Sequence, residues 1–154
     1  MGIIFAILIL GIPLLDLGIK YYIENNMKSH EEKEIFHNHI IIRNVHNKGM
    51  IFNILDSHPK IIKAVTIFTG IFTAGWTALI LSEKDQKMTK VSICMILGGA
   101  ISNIYDRIVR KYVVDFFAFK TKWKKITNIT FNLGDMFIFA GTIGMFLSLL
   151  WKKK

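Results

Sequence analysis

The two residues best placed to do chemistry are Asp115, which breaks the apolar stretch VVDFF, and Asp135, which opens the next apolar run from FNLGD. Neither has a lysine or arginine within three positions, so neither reads as half of a local ion pair. One carboxylate follows a membrane-length run and the other starts the next. Two consecutive membrane helices joined by a loop return the chain to the face it left, so both carboxylates lie on one side and close in space. Two carboxylates at one site do not both ionise easily: one keeps a proton while the other acts as a base. Such a pair activates a water against a peptide carbonyl and protonates the departing amine. This is aspartic peptidase chemistry, and it calls for no metal and no cofactor.

Other chemistries fit less well. The single Cys94 lies inside an apolar run while His30, His37, His39, His46 and His58 are all elsewhere, so it reads as a small buried apolar side chain. His37 and His39 are expected on one face of a strand, without carboxylate or cysteine companions at ligand spacing, and no metal site is expected there. The formal charge of +9 is scattered between apolar runs and in the tail of Trp151 followed by lysines. That pattern suits an interfacial anchor beside anionic lipid rather than nucleic acid.

With 154 residues, 52% of them apolar, and only two prolines, the chain reads as a single membrane domain covering 1–154. Four segments approach the roughly 20 residues needed to span a hydrocarbon core. They are 2–23, 61–82, 91–109 and 132–151. The N-terminal MGIIFAILILGIPLL lacks the basic residues and cleavage site of a secretory signal and is expected to be a retained first helix, with a kink predicted at Pro13. Four spans put both termini on one side, and lysine and arginine counts do not settle which side that is. In the longer connections, HIIIRNV, GMIFNIL and the start of KYVVDFFAFK read as strands of a small surface sheet. AFKTKWKKI mixes Phe119, Trp123 and Ile126 with lysines, as an interfacial helix does, although a solvated basic loop reads equally well.

The remaining polar residues of the spans fall at one depth. Asp16 and Lys20 are four apart on the first helix, and Asn103, Asp106 and Arg107 share i, i+3, i+4 spacing on the third. Asn132 and Asp135 open the fourth, and Asn47 lies in the connection covering that face. The simplest account of Asp16 with Lys20, and of Asp106 with Arg107, is two structural ion pairs. Asn103 and Asn132 serve equally well as interhelical glue or as orienting groups.

In this order, the blocks DLGIK, NKGMIF, GGAISNIYDR, VVDF and FNLGD resemble those of lipoprotein signal peptidase, also called signal peptidase II, from end to end. The resemblance implies a mostly α membrane protein of four transmembrane helices with a small extracytoplasmic β-cradle and an interfacial helix. It implies a catalytic pair at Asp115 and Asp135, supported by Asp16, Lys20, Asn47, Gly49, Gly99, Asn103, Asp106, Arg107 and Asn132; Phe52 also matches. It further implies the bacterial cytoplasmic membrane, both termini cytoplasmic and the pair near the outer face. The substrate would be a prolipoprotein cut before its diacylglyceryl-cysteine, with membrane lipids as partners, no nucleic acid, and a monomeric enzyme. Leu17, Ile19, Met50, Ile51, Ser102 and Gly134 depart from the family pattern, so substrate range or inhibitor affinity is expected to differ. Two other readings compete: a small carrier or proton relay, because intramembrane ionisable residues also mark ion paths, and a catalytically silent paralogue that only binds lipoprotein precursors.

Overall fold

The computed structural model describes residues 2–29, 31–49 and 58–151. Most of the GMIFNIL stretch, including Met50, Ile51 and Phe52, lies outside them. Four long helices dominate: α1 (Gly2–Asn26), α2 (Pro59–Ser82), α3 (Lys87–Val109) and α5 (Leu133–Trp151). All four are long and apolar enough to cross a membrane. α1, α2 and α3 run two to four residues beyond the expected spans, whereas α5 keeps to its own. Lys90, in the first turn of α3, reaches back to donate to the Leu81 carbonyl at the end of α2 (3.2 Å).

Pro13 leaves its mark on α1 as a π-helical turn at Ile7–Gly11. Proline lacks an N–H and its ring crowds the carbonyl four residues back, here Ile9, so the helix widens over that turn.

α3 is the central helix: 39% of its membrane window is buried, against 17% for each of the others. Lipid tails give no hydrophobic drive for helices to associate, so close packing of small residues does that work. Gly99 of α3 lies against Gly134 of α5 so closely that a Cβ on Gly99 would run into the Gly134 carbonyl. The large apolar side chains Phe68, Phe72, Leu79, Phe139 and Phe146 point outward, where hydrocarbon would surround them.

A three-stranded antiparallel sheet, ordered β1 (Glu32–Ile35), β2 (Ile40–Asn47), β3 (Val113–Phe119), caps one end of the bundle. β2 and β3 are the β-rich stretches of the sequence. β1, EKEI, is exposed along its length and carries no apolar alternation to announce it. Phe36, His37 and Asn38 take positive φ in the turn between β1 and β2. His37 and His39 therefore belong to a hairpin turn, not to one face of a strand as expected. Ile23, Met27 and Phe116 join the sheet to the end of α1, and Ile19 packs against them. The expected interfacial helix is a single turn, α4 (Lys124–Thr127), flanked by the exposed Trp123.

The β2–β3 register shifts by one residue between Ile42 and Val45: Ile42 pairs with Phe117, but Val45 pairs with Asp115. A bulge of this kind re-aims the side chains beyond it. On the other edge of β3, the N–H of Phe131 donates to the Phe117 carbonyl (2.8 Å), and the N–H groups of Phe116 and Phe117 donate back to Phe131. The residues that open α5 are thereby laid alongside Asp115.

The Gly99–Gly134 approach predicts that Gly99→Ala lowers stability by about 1–3 kcal/mol, the usual range for overpacking. A thermal melt of the purified variant in detergent that matches the wild type would contradict it.

Candidate active site

Asn132 is the residue from which the site can be built. It precedes the first turn of α5, and its Oδ1 accepts the N–H of Asp135 (2.9 Å) while its own N–H donates to Asp135 Oδ2 (3.1 Å). This reciprocal pair is a capping box, with aspartate in place of the usual glutamate. The Asn132 Nδ2 is left free to donate across to Asp115 Oδ1 (2.7 Å). One asparagine therefore holds both carboxylates. Asp115 receives a second N–H from Asn47 Nδ2 (2.9 Å), and Asp135 a second from Asn103 Nδ2 (2.9 Å).

Behind the pair lies a buried charge cluster. Lys20 is fully buried and spends its three donors on Asp16 Oδ2 (2.7 Å), Asp106 Oδ2 (2.9 Å) and Asn103 Oδ1 (2.8 Å). By claiming the Asn103 oxygen, the ammonium turns the Asn103 amide so that its NH2 faces Asp135. The other Asp16 oxygen accepts the Leu133 N–H (2.9 Å), one of the orphan donors at the start of α5. The N–H of Val114, next to Asp115, donates to Asp106 Oδ2 (3.3 Å). First helix, third helix, strand and last helix are thus tied to one ammonium.

Asp106 does not pair with its neighbour Arg107 as expected. Adjacent residues on a helix point apart, so Asp106 takes Lys20 and, one turn on, Arg110 (2.9 Å). Arg107 donates to the Gly49 carbonyl (2.7 Å), while the Gly49 N–H donates to Asn47 Oδ1 (3.0 Å). These bonds fix the chain just past β2. Gly99 supports the site by its close packing on Gly134, and its carbonyl lies within hydrogen-bond reach of the Ser102 hydroxyl (3.1 Å). Sequence reasoning passed over Ser102 as a partner. It is fully buried and its hydroxyl donates to Asp16 Oδ2 (2.6 Å). It also passed over Arg110, whose i+4 spacing from Asp106 was the available signal.

The pair opens into a cleft of about 1080 Å³ whose rim includes Arg107 and Lys125, and which continues along α5 past Phe139 and Thr142. Asp115, on the strand, is 3% exposed. Burial first, then the charge of Asp135, pushes its pKa up to about 7, against the opposing pull of the Asn47 and Asn132 bonds. This carboxyl therefore keeps its proton to a far higher pH than an ordinary aspartate, as an acid–base pair requires. Among the described residues no group of three histidine, cysteine or carboxylate side chains is gathered as a metal site.

The family model described as signal peptidase (SPase) II matches residues 7–151. The chain belongs to the signal peptidase II family. Similar proteins named lipoprotein signal peptidase include one from Moorella thermoacetica, 30% identical over 139 residues (90% of this chain, 87% of that protein). Another, from Vibrio parahaemolyticus, is 32% identical over 148 residues (91% and 83%). A solved bacterial membrane enzyme, determined by the in meso method at 2.3 Å, shares the fold at a TM-score of 0.82 with 24% identity, covering 100% of this chain and 91% of that one. The four helices and the small sheet are thus those of a signal peptidase II, a multi-pass membrane protein.

The Lys20 cluster predicts that Lys20→Met, which leaves Asp16 and Asp106 buried beside each other without their shared cation, costs about 3–5 kcal/mol of stability. Chemical denaturation in mixed micelles would measure this, and a wild-type midpoint would refute it.

Proposed function

We propose that this chain is an aspartic endopeptidase, one integral membrane domain over 1–154, that removes the signal peptide of diacylglyceryl-modified prolipoproteins, cleaving before the lipidated cysteine. Asp115 and Asp135 are its catalytic pair. The observation that carries the proposal is the asparagine-bridged pair at the mouth of an open cleft: Asn132 donates to Asp115 and caps Asp135.

In this reading Asp115 carries the shared proton and Asp135 is the base. Asp135 takes a proton from a water as the water oxygen bonds to the scissile carbonyl carbon, and Asp115 gives its proton to the carbonyl oxygen. Collapse of the tetrahedral intermediate breaks the C–N bond: the departing nitrogen takes the proton now on Asp135, and a hydroxyl of the intermediate returns its proton to Asp115 as the C=O bond re-forms. Asn103 and Asn47 hold the outer oxygens of the pair, and Arg107, bonded to the Gly49 carbonyl, edges the cleft where substrate backbone enters.

The apolar cleft wall along α5, with Ile138, Phe139 and Thr142, suits the signal helix and the acyl chains of the substrate. The exposed Trp123 and the lysines around it suit a lipid interface; the pair near the outer membrane face, with cytoplasmic termini, is what the family resemblance implies. Of the departures from the family pattern, Ser102 is buried against Asp16, Gly134 packs on Gly99 and Ile19 lies under the sheet, and all three leave both aspartates and their asparagines in place.

The test is a gel-shift assay of a diacylglyceryl-modified prolipoprotein with enzyme in detergent. Asp115→Asn and Asp135→Asn are each expected to lose about 10²–10⁴-fold or more in rate while melting like wild type. Retained cleavage in either variant refutes the pair, and binding without cleavage by the wild type indicates a silent paralogue. The same assay run against pH should show cleavage falling as pH rises through about 7, because Asp115 loses its proton there. A rate still rising above that pH would remove Asp115 as the acid.

A further inference from the structure

A second polar cluster lies beside the charge cluster, and the chemistry described above makes no use of it. Glu24, near the end of α1, accepts the Tyr112 hydroxyl (2.9 Å) and faces His46 Nε2 (3.3 Å) with one oxygen, and meets Arg110 (3.3 Å) with the other. The His46 and Tyr112 rings stack at 4.0 Å and 18°. Burial, then the bond to Glu24, raises Tyr112 above the usual phenol range, so its hydroxyl remains a donor at neutral pH.

The place of this cluster gives it a role. His46 immediately precedes Asn47, whose amide holds Asp115, and pairs with Val114 in the β2–β3 ladder. Tyr112 immediately precedes β3. Arg110 spans from Glu24 to Asp106, which in turn holds Lys20 and the Val114 N–H. The carboxylate therefore grips both strands at the end where they present Asn47 and Asp115. It fastens them to α1 and α3. Partly exposed ion pairs add little to global stability, so the consequence is local: the angle at which the strand end offers its side chains.

We propose that Glu24 is a positioning residue for peptide cleavage, acting through His46, Tyr112 and Arg110 to hold the Asn47–Asp115 contact in register. This rests on the peptidase reading above.

The full chain in detergent is assayed on the lipidated precursor, with Asp115→Asn as the dead control. Glu24→Ala is expected to lower kcat about ten-fold, the scale of a sub-ångström misplacement of a catalytic group, with KM within about two-fold and an unchanged melt. Glu24→Gln, which keeps an acceptor for Tyr112, should fall between Glu24→Ala and wild type. In an Asn47→Ala background, Glu24→Ala should lower kcat by no more than about two-fold, because the contact it protects is already gone. Wild-type kcat in Glu24→Ala, a loss carried by KM, or the same ten-fold loss in the Asn47→Ala background each overturns the inference while the peptidase reading stands. Should Glu24→Ala fail to fold, Tyr112→Phe decides: it keeps the ring stack and removes one hydroxyl, and about a three-fold loss in kcat is expected, with no loss overturning the role. A wild type that does not cleave overturns the peptidase reading and this inference with it.

Discussion

The rest of the site depends on one buried ammonium. Lys20 sits at full burial between two carboxylates and an asparagine oxygen, with no donor left over. A lone ammonium there would be prohibitively desolvated, and so would either aspartate without it. The cluster is tolerable only when all its members are present and aligned. That requirement turns electrostatics into geometry: the ammonium selects the orientation of Asn103, Asp16 receives the start of α5, and Asp106 receives the strand beside Asp115. Four elements with little hydrophobic reason to associate are held in one arrangement.

The two carboxylates are presented by different kinds of backbone. Asp135 is fixed by a capping box at the start of a helix, a local motif that forms wherever that helix begins. Asp115 is fixed by a strand whose register is shifted by a bulge and whose other edge is bridged to Phe131. Asn132, one residue past that bridge, joins the two systems. A helix cap and a strand edge meet at a single amide.

Much of this was legible in the residues themselves. The four spans announce themselves by length and hydropathy, and a common depth of polar residues places Asp16, Lys20, Asn103, Asp106, Asn132 and Asp135 in one layer, because depth along a membrane helix is nearly linear in sequence position. Direction about the helix axis and partner choice were less legible. Asp106 and Arg107 are neighbours in sequence, yet they serve different sides of α3, and the partner of Asp106 comes from α1. β1 was hidden because a solvent-exposed hairpin strand of charged residues has no buried face to impose a pattern. The bulge left no mark in composition, since it depends on how two distant strands slide past each other. Ser102 was visible as an unusual residue, but the hydroxyl's partner 86 positions away was not.

The bond between Asp16 and the Leu133 N–H joins residues 117 positions apart, from the first membrane helix to the last. During biogenesis, α1 enters the bilayer long before α5 has been synthesised, and its buried charges must wait for Asp106 and then for the N-terminus of the final helix. The carboxylate pair cannot be completed until the last helix is inserted. A nascent chain that still lacks α5 therefore lacks Asp135 and the asparagine that caps it, and the two carboxylates meet only once that helix has docked.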